Sequence, residues 1–231
     1  MIKTALFFDI DGTLVENGSL MQSAFQQGFA NQGLAIEIDP WKGSGCTDWQ
    51  ILDMFLADFP QLSDKEREAL KEKIAPDVQS IVIEKVNKTG LNALPGTQEL
   101  IQRLVKLGCT PGLLTGNMQN IVRPKLKAAG FNPDDFKYGG FGDYCPHRVD
   151  TAKKALQSAS EFLKCTIAPD EALIIGDTPN DIACAKAVGV PVLAVASGKY
   201  SMEELASHDP DFLLEDLTDW VKFLEIIDYP W

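Results

Sequence analysis

The stretch Phe7-Phe8-Asp9-Ile10-Asp11-Gly12-Thr13-Leu14 governs the reading of this chain. With Thr4-Ala5-Leu6 before it, it begins as a short apolar run rich in strand-forming residues. Such a run reads as a strand buried on both faces, in the middle of a parallel sheet. Two carboxylates one residue apart then stand where Gly12-Thr13 breaks the strand. Acids at the carboxyl end of a central strand lie where open α/β sheets bind ligands. They would repel each other unless a cation or a shared proton lay between them. Folding does not call for such a pair, so it marks a site.

Beyond Leu14 the periodicity turns helical. Leu20, Met21, Ala24, Phe25 and Phe29 recur at helical spacing, and Gly33 supplies a stop. Thr47-x-x-Gln50 reads as a capping box opening a second helix, and Ser63-x-x-Glu66 repeats the device for a third. Pro76 is expected to kink or divide that third helix before Val78–Val86 continues it. Residues 16–89 are therefore expected to form a small, all-helical second domain. From Leu94-Pro95-Gly96 onward helices and strands alternate. Helices are expected over Thr97–Leu107, Met118–Ala129, Asp150–Leu163, Pro179–Val188, Ser201–Ala206 and Leu217–Ile227. Strands are expected at Leu113–Thr115, Tyr138–Phe141, Ala172–Ile175, Val190–Val195 and Phe212–Leu214. This rhythm implies an α/β, doubly wound parallel sheet built from residues 1–15 and 90–231.

Composition narrows the function. The 231 residues are 45% hydrophobic, enough for a full core, and carry a formal net charge of −12 with no basic cluster. Nucleic acid is not an expected partner, because binding it depends on Lys and Arg neutralising phosphates. No apolar run approaches the length of a membrane span, and the N-terminal stretch lacks the shape of a secretory signal. Cys46, Cys109, Cys145, Cys165 and Cys184 show no CxxC or Cys/His spacing, so zinc is not expected and free thiols are. Free thiols suit a reducing compartment, and the cytoplasm is the expected location. His147 and His208 sit in no metal-ligand spacing and read as surface residues.

Two further strand ends carry chemistry. In Leu113-Leu114-Thr115-Gly116-Asn117 a hydroxyl stands beside a glycine and a helix start, a combination that suits phosphate. Thr115 also fits a plain helix cap, and Asn117 a turn. In Ala172-Leu173-Ile174-Ile175-Gly176-Asp177-Thr178-Pro179-Asn180-Asp181 a buried strand ends in Gly-Asp. Pro179 suits the first helical position, which puts Asp181 in the first turn. There a carboxylate also serves as a cap or dipole partner. Asp177 repeats at a second strand end what Asp9 does at the first.

Asp9-x-Asp11-Gly12-Thr13 resembles the first motif of the haloacid dehalogenase superfamily, which is mostly phosphatases. Gly176-Asp177-Thr178-Pro179-x-Asp181 is similar to its fourth motif, and Leu113-Leu114-Thr115 to its short second one. The third motif calls for a Lys or Arg. Arg148, within Cys145-Pro146-His147-Arg148, is read as filling it, with Lys153 and Lys154 as alternatives. The resemblance spans nearly the whole chain and looks most like the phosphoglycolate phosphatase-like group, with a helical cap after the first motif.

What the resemblance implies is a magnesium-dependent phosphomonoesterase acting on a small phosphorylated substrate. Asp9 would be the nucleophile and Asp11 the general acid and base, with Thr115 and Arg148 holding phosphate oxygens. Mg²⁺ would be bound by Asp9, the backbone carbonyl of Asp11, and Asp177, with Asp181 second-tier or alternate. Gly116 and Asn117 would contact substrate. So would the cap loop Gly43–Asp48, whose neighbourhood supplies Trp41, Thr47, Asp48 and Trp49. A sugar phosphomutase keeps both motif-one aspartates and remains the alternative. Asp11 speaks against dehalogenation, and Lys42 would be needed for phosphonate cleavage. A binding module that kept the fold without catalysis is the alternative from another class. Monomer and homodimer stay equally open.

Overall fold

The computed structural model describes residues 5–16, 18–39 and 43–227. Six parallel strands form one sheet: β1 Ala5–Phe8, β2 Pro111–Leu114, β3 Gly139–Gly140, β4 Ala172–Gly176, β5 Val192–Val195 and β6 Phe212–Leu214. They lie side by side in the order β3-β2-β1-β4-β5-β6, with Phe8 level with Leu113 on one side and Ile175 on the other. The chain runs outward from β1 in both directions. The crevice at the strand carboxyl ends beside β1 is therefore the topological switch point, where such sheets bind ligands.

Alternation along the strands builds two apolar layers. Leu6, Phe8, Leu113, Leu173, Ile175 and Leu193 face one side, against α4 Thr97–Lys106, α5 Gln119–Ala128 and α9 Trp220–Ile227. Phe8 stacks on Phe223 there at 5.9 Å. Ala5, Phe7, Leu114, Ile174 and Val192 face the other side, against α6 Arg148–Leu163, α7 Pro179–Val188 and the short α8 Met202–Ala206. Four buried alanines, Ala152, Ala155, Ala159 and Ala185, let those helices approach the sheet closely. A strand covered on both faces has no polar side, which is why β1 reads as an unbroken apolar run.

Residues between β1 and α4 are helical: α1 Leu20–Asn31, α2 Asp48–Leu56 and α3 Asp64–Thr89. They pack as a cap with its own apolar cluster, which also takes in Met118 and Ile121 at the start of α5. Gly28 permits the close crossing of α1 over α3, since a Cβ there would lie 2.8 Å from Val78 Cγ2. Pro76 does not divide α3, which continues through it. The proline is on the solvent side, while Ile74, Ala75, Val78, Val82 and Val86 are buried. Burying each large aliphatic is worth about 1.5–3 kcal/mol, which together outweighs the roughly 3 kcal/mol cost of an interior proline. Ser63 and Glu66 form the expected capping box, but Thr47 makes only half of one, accepting from Gln50 N without a returning side chain. The expected strand at Tyr138–Phe141 shrinks to Gly139–Gly140. A Cβ on Gly140 would lie 2.0 Å from the Thr151 carbonyl, so α6 crosses tightly there. Among the described residues no helix is long and apolar enough to cross a membrane. Trp41 and Lys42 lie outside the described residues.

Candidate active site

Each strand end contributes one group. Asp9 follows β1 directly, and its N–H continues the ladder by donating to the Ile175 carbonyl at 2.9 Å. Asp177 follows β4, and Thr115 follows β2. Asp181 enters from the first turn of α7, and Arg148 from the first residue of α6. One carboxylate oxygen from each of Asp9, Asp177 and Asp181 lies within 4.8 Å of the others, and all three side chains are buried. Gly12 closes the turn after β1 with φ +89°. A Cβ there would fall 2.2 Å from Asp177 Oδ2, so both the backbone conformation and the space demand glycine.

Arg148 is the cation inside this cluster. Its Nη2 lies 3.1 Å from Asp9 Oδ1 and donates to Asp181 Oδ1, while Nη1 donates to the Gly45 carbonyl at 3.1 Å. Burial opposes the guanidinium charge, but Asp181 and Asp9 outweigh it and hold the group protonated. Lys153 and Lys154 are exposed. The first pairs with Asp150 and the second donates to Cys145 Sγ, so neither joins the cluster. Asp181 is fully engaged: Oδ2 accepts from the Thr178 hydroxyl at 2.6 Å and from Thr178 N at 3.1 Å, closing a capping box.

Three buried carboxyls face one guanidinium, and the imbalance shows. Burial pushes Asp9 up to about 6, with Arg148 opposing and the neighbouring acids reinforcing. Asp177 is raised well above the usual carboxylate range, first by burial and then by Asp9 and Asp181. Among the described residues Asp177 Oδ2 is buried with no hydrogen-bond donor, and Asp9 Oδ1 has only its ion pair with Arg148. An orphaned oxygen, an excess of negative charge and an all-oxygen donor set fit a hard divalent cation. Nitrogen and sulfur ligands are missing from the cluster, which disfavours zinc or copper.

Asp11 points elsewhere. Both its oxygens accept from Lys125 Nζ, at 2.6 and 2.5 Å, and Oδ2 also accepts from Asn117 Nδ2 at 2.6 Å. Lys125 donates as well to Asn117 Oδ1 at 2.8 Å and is wholly buried. The sequence reading missed this lysine. Its signal was there: in α5 it shares the buried stripe Ile121, Val122, Lys125, Leu126, where a lysine has no packing reason to be. Asn117 thus bridges Asp11 and the Thr115 hydroxyl, which accepts from Asn117 Nδ2 at 3.0 Å.

A cavity of about 120 Å³ opens above these groups, between core and cap. Asp9, Asp11, Gly116, Asn117, Asp48 and Arg148 line it. Thr115 and Thr47 do not, both being fully buried. The Thr47 hydroxyl is committed to structure, accepting from Gln50 N and donating to the Cys145 carbonyl at 2.5 Å. Trp49 packs on Tyr144 at 4.5 Å and under Lys71, away from the cavity. Asp48 accepts from Met118 N at 2.8 Å and Asp143 from Gln119 N at 2.6 Å, so two carboxylates already occupy the amino end of α5. The loop 43–48 seals the cavity rim: Asn180 donates to the Ser44 carbonyl and Asp48 N to the Gly116 carbonyl, both at 2.7 Å.

Comparison with known proteins extends this geometry. The haloacid dehalogenase-like hydrolases match the chain over residues 6–195. A phosphoglycolate phosphatase of Rhodospirillum rubrum is 26% identical over 226 residues, covering 95% of this chain and 91% of its own length. Another from Yersinia pestis is 26% identical over 219 residues, covering 92% of this chain and 89% of its own. Among solved structures, a beta-phosphoglucomutase from Clostridium difficile superposes with a TM-score of 0.73 at 18% identity, over 99% of this chain and 98% of that one. That last likeness speaks for the fold alone.

Proposed function

The chain belongs to the haloacid dehalogenase-like hydrolases, and from that premise we propose that it is a Mg²⁺-dependent phosphomonoesterase working through a phosphorylated Asp9. The observation that carries this is Asp9 itself, buried at a strand end, 3.1 Å from a guanidinium and within 4.8 Å of two further buried acids, one of which, Asp177, has an oxygen without a donor among the described residues. Asp9 attacks phosphorus, the bond to the alcohol oxygen breaks, and the leaving oxygen takes a proton from Asp11. Asp11 then accepts a proton from water as that water displaces the Asp9 oxygen from phosphorus. Inorganic phosphate leaves and both aspartates are restored. Arg148 steadies the transferring oxygens through its planar fork. Asp9, Asp177 and the Asp11 carbonyl would hold Mg²⁺, with Asp181 behind them; the ion supplies charge neutralisation around the transferring group. The boundaries of the cap, 16–89, follow the same reading, as does a cytoplasmic location, which the five free cysteines suit.

Phosphate release from small esters, with and without Mg²⁺, in the wild type and Asp9→Asn tests the proposal. Turnover that requires Mg²⁺ and disappears in the variant is expected. Equal release by the variant, or release indifferent to EDTA, refutes it.

A further inference from the structure

A further strand end reaches the acids. β5 closes at Val195, where the family match also ends, and the loop that follows lies against Asp177. A Cβ on Gly198 would fall 1.7 Å from Asp177 Oδ2 and 2.6 Å from its Cγ, and one on Gly12 would fall 2.2 Å from the same oxygen. The carboxylate is therefore wedged between two bare Cα atoms from different loops. Oδ2 has no hydrogen-bond donor among the described residues, so contact alone sets where it stands. Its twin Oδ1 accepts from the Thr13 hydroxyl at 3.2 Å. Ser197 Oγ donates to the Gly12 carbonyl at 2.7 Å and ties the two loops together beside the carboxylate. The φ of Gly198, unlike that of Gly12, lies outside the left-handed region. Its backbone suits other residues, and only the space against Asp177 calls for glycine.

We propose that Ser197 and Gly198 are positioning residues that hold Asp177 for a small divalent cation and so favour Mg²⁺ over Ca²⁺. This rests on the cation part of the phosphomonoesterase reading. Mg²⁺ demands near-octahedral oxygens at about 2.0–2.1 Å, whereas Ca²⁺ accepts irregular sets at about 2.3–2.6 Å. A carboxylate fixed from both sides suits the stricter ion, and one free to shift suits the laxer.

Titration calorimetry with Mg²⁺ alone and Ca²⁺ alone, on wild type, Gly198→Ala and Ser197→Ala, tests this without turnover. Gly198→Ala is expected to weaken Mg²⁺ binding by at least about tenfold and Ca²⁺ binding by less than about threefold. Ser197→Ala, which adds no bulk and so keeps the test alive if the alanine at 198 prevents folding, is expected to move the ratio the same way by at least about twofold. An unmoved ratio overturns the inference while leaving the phosphatase standing. A wild type that binds neither ion overturns the metal reading and the inference with it. Melting in EDTA checks the wedge itself: Gly198→Ala is expected to cost less than half as much in an Asp177→Ala background, where no carboxylate is struck. An equal cost in both backgrounds shows that Gly198 does not position Asp177.

Discussion

Replacing Lys125 by methionine keeps nearly the same length and shape and removes one charge. In the wild type the ammonium group makes three contacts, at 2.5, 2.6 and 2.8 Å, to Asp11 and Asn117. Its own side chain is 0% exposed and that of Asp11 only 24%. Breaking a buried pair by removing one partner costs about 3–5 kcal/mol. Water reaching Asp11 places this case at the low end, at about 3 kcal/mol. A chain of this size loses about 2–4 °C per kcal/mol, so melting should fall by about 6–12 °C. Activity should fall too, because Asp11 loses the contact that fixes its carboxylate, and a misplacement of about 1 Å costs on the order of a hundredfold. Calorimetry and steady-state kinetics on Lys125→Met check both figures, with Lys127→Met as control, since that lysine is exposed on the same helix. A melting point within about 2 °C of wild type, together with unchanged kcat, would show that the clamp is ornamental and the reasoning wrong.

Asp48 gives a pH prediction. Burial raises it to about 7, opposed by the Met118 N–H, so the folded state keeps a proton that the unfolded chain releases near pH 4. Between those values the folded state binds more protons, and stability falls as pH rises, levelling off above about 7. Asp48→Asn preserves an oxygen for Met118 and removes this titration. Its advantage over wild type should therefore grow from pH 4 to 7, by up to about 4 kcal/mol; urea midpoints at pH 5 and 8 that shift in parallel would contradict it. Arg148→Lys retains the charge but cannot reach Asp9, Asp181 and the Gly45 carbonyl together. We expect kcat to drop about tenfold, and Arg148→Met to lose about 10²–10³-fold. Equal rates for the lysine variant would mean that the fork has no part in holding phosphate.

The sheet and the acids at its edge were legible because they follow from local pattern. A strand buried on both faces must be apolar throughout, and an acid placed at its end has no other motive; Asp9 and Asp177 announce themselves in this way. The α7 boundaries match for a similar reason, since Thr178, Pro179 and Gly189 are each explicit stop or start signals. What local pattern cannot carry is the partner across the fold. Thr47 looked like a substrate contact because it sits in a glycine-rich loop, yet its hydroxyl bonds Cys145, 98 residues away. Lys125 reaches Asp11 across 114 residues, and its place on an apolar stripe signals burial without saying for whom. Pro76 failed as a breaker because α1 packs on the opposite side of α3, and tertiary burial overrode propensity.

Arg148 holds the loop 43–48 as well as the nucleophile, through its bond to the Gly45 carbonyl. An anion that draws the guanidinium toward itself competes with that carbonyl, and a loop that swings away frees the guanidinium. Loop position and anion affinity are therefore two readings of one equilibrium, and by reciprocity each biases the other. A loop held more tightly by Arg148 therefore goes with a weaker hold on the anion, so a closed entrance and a retained anion are opposed.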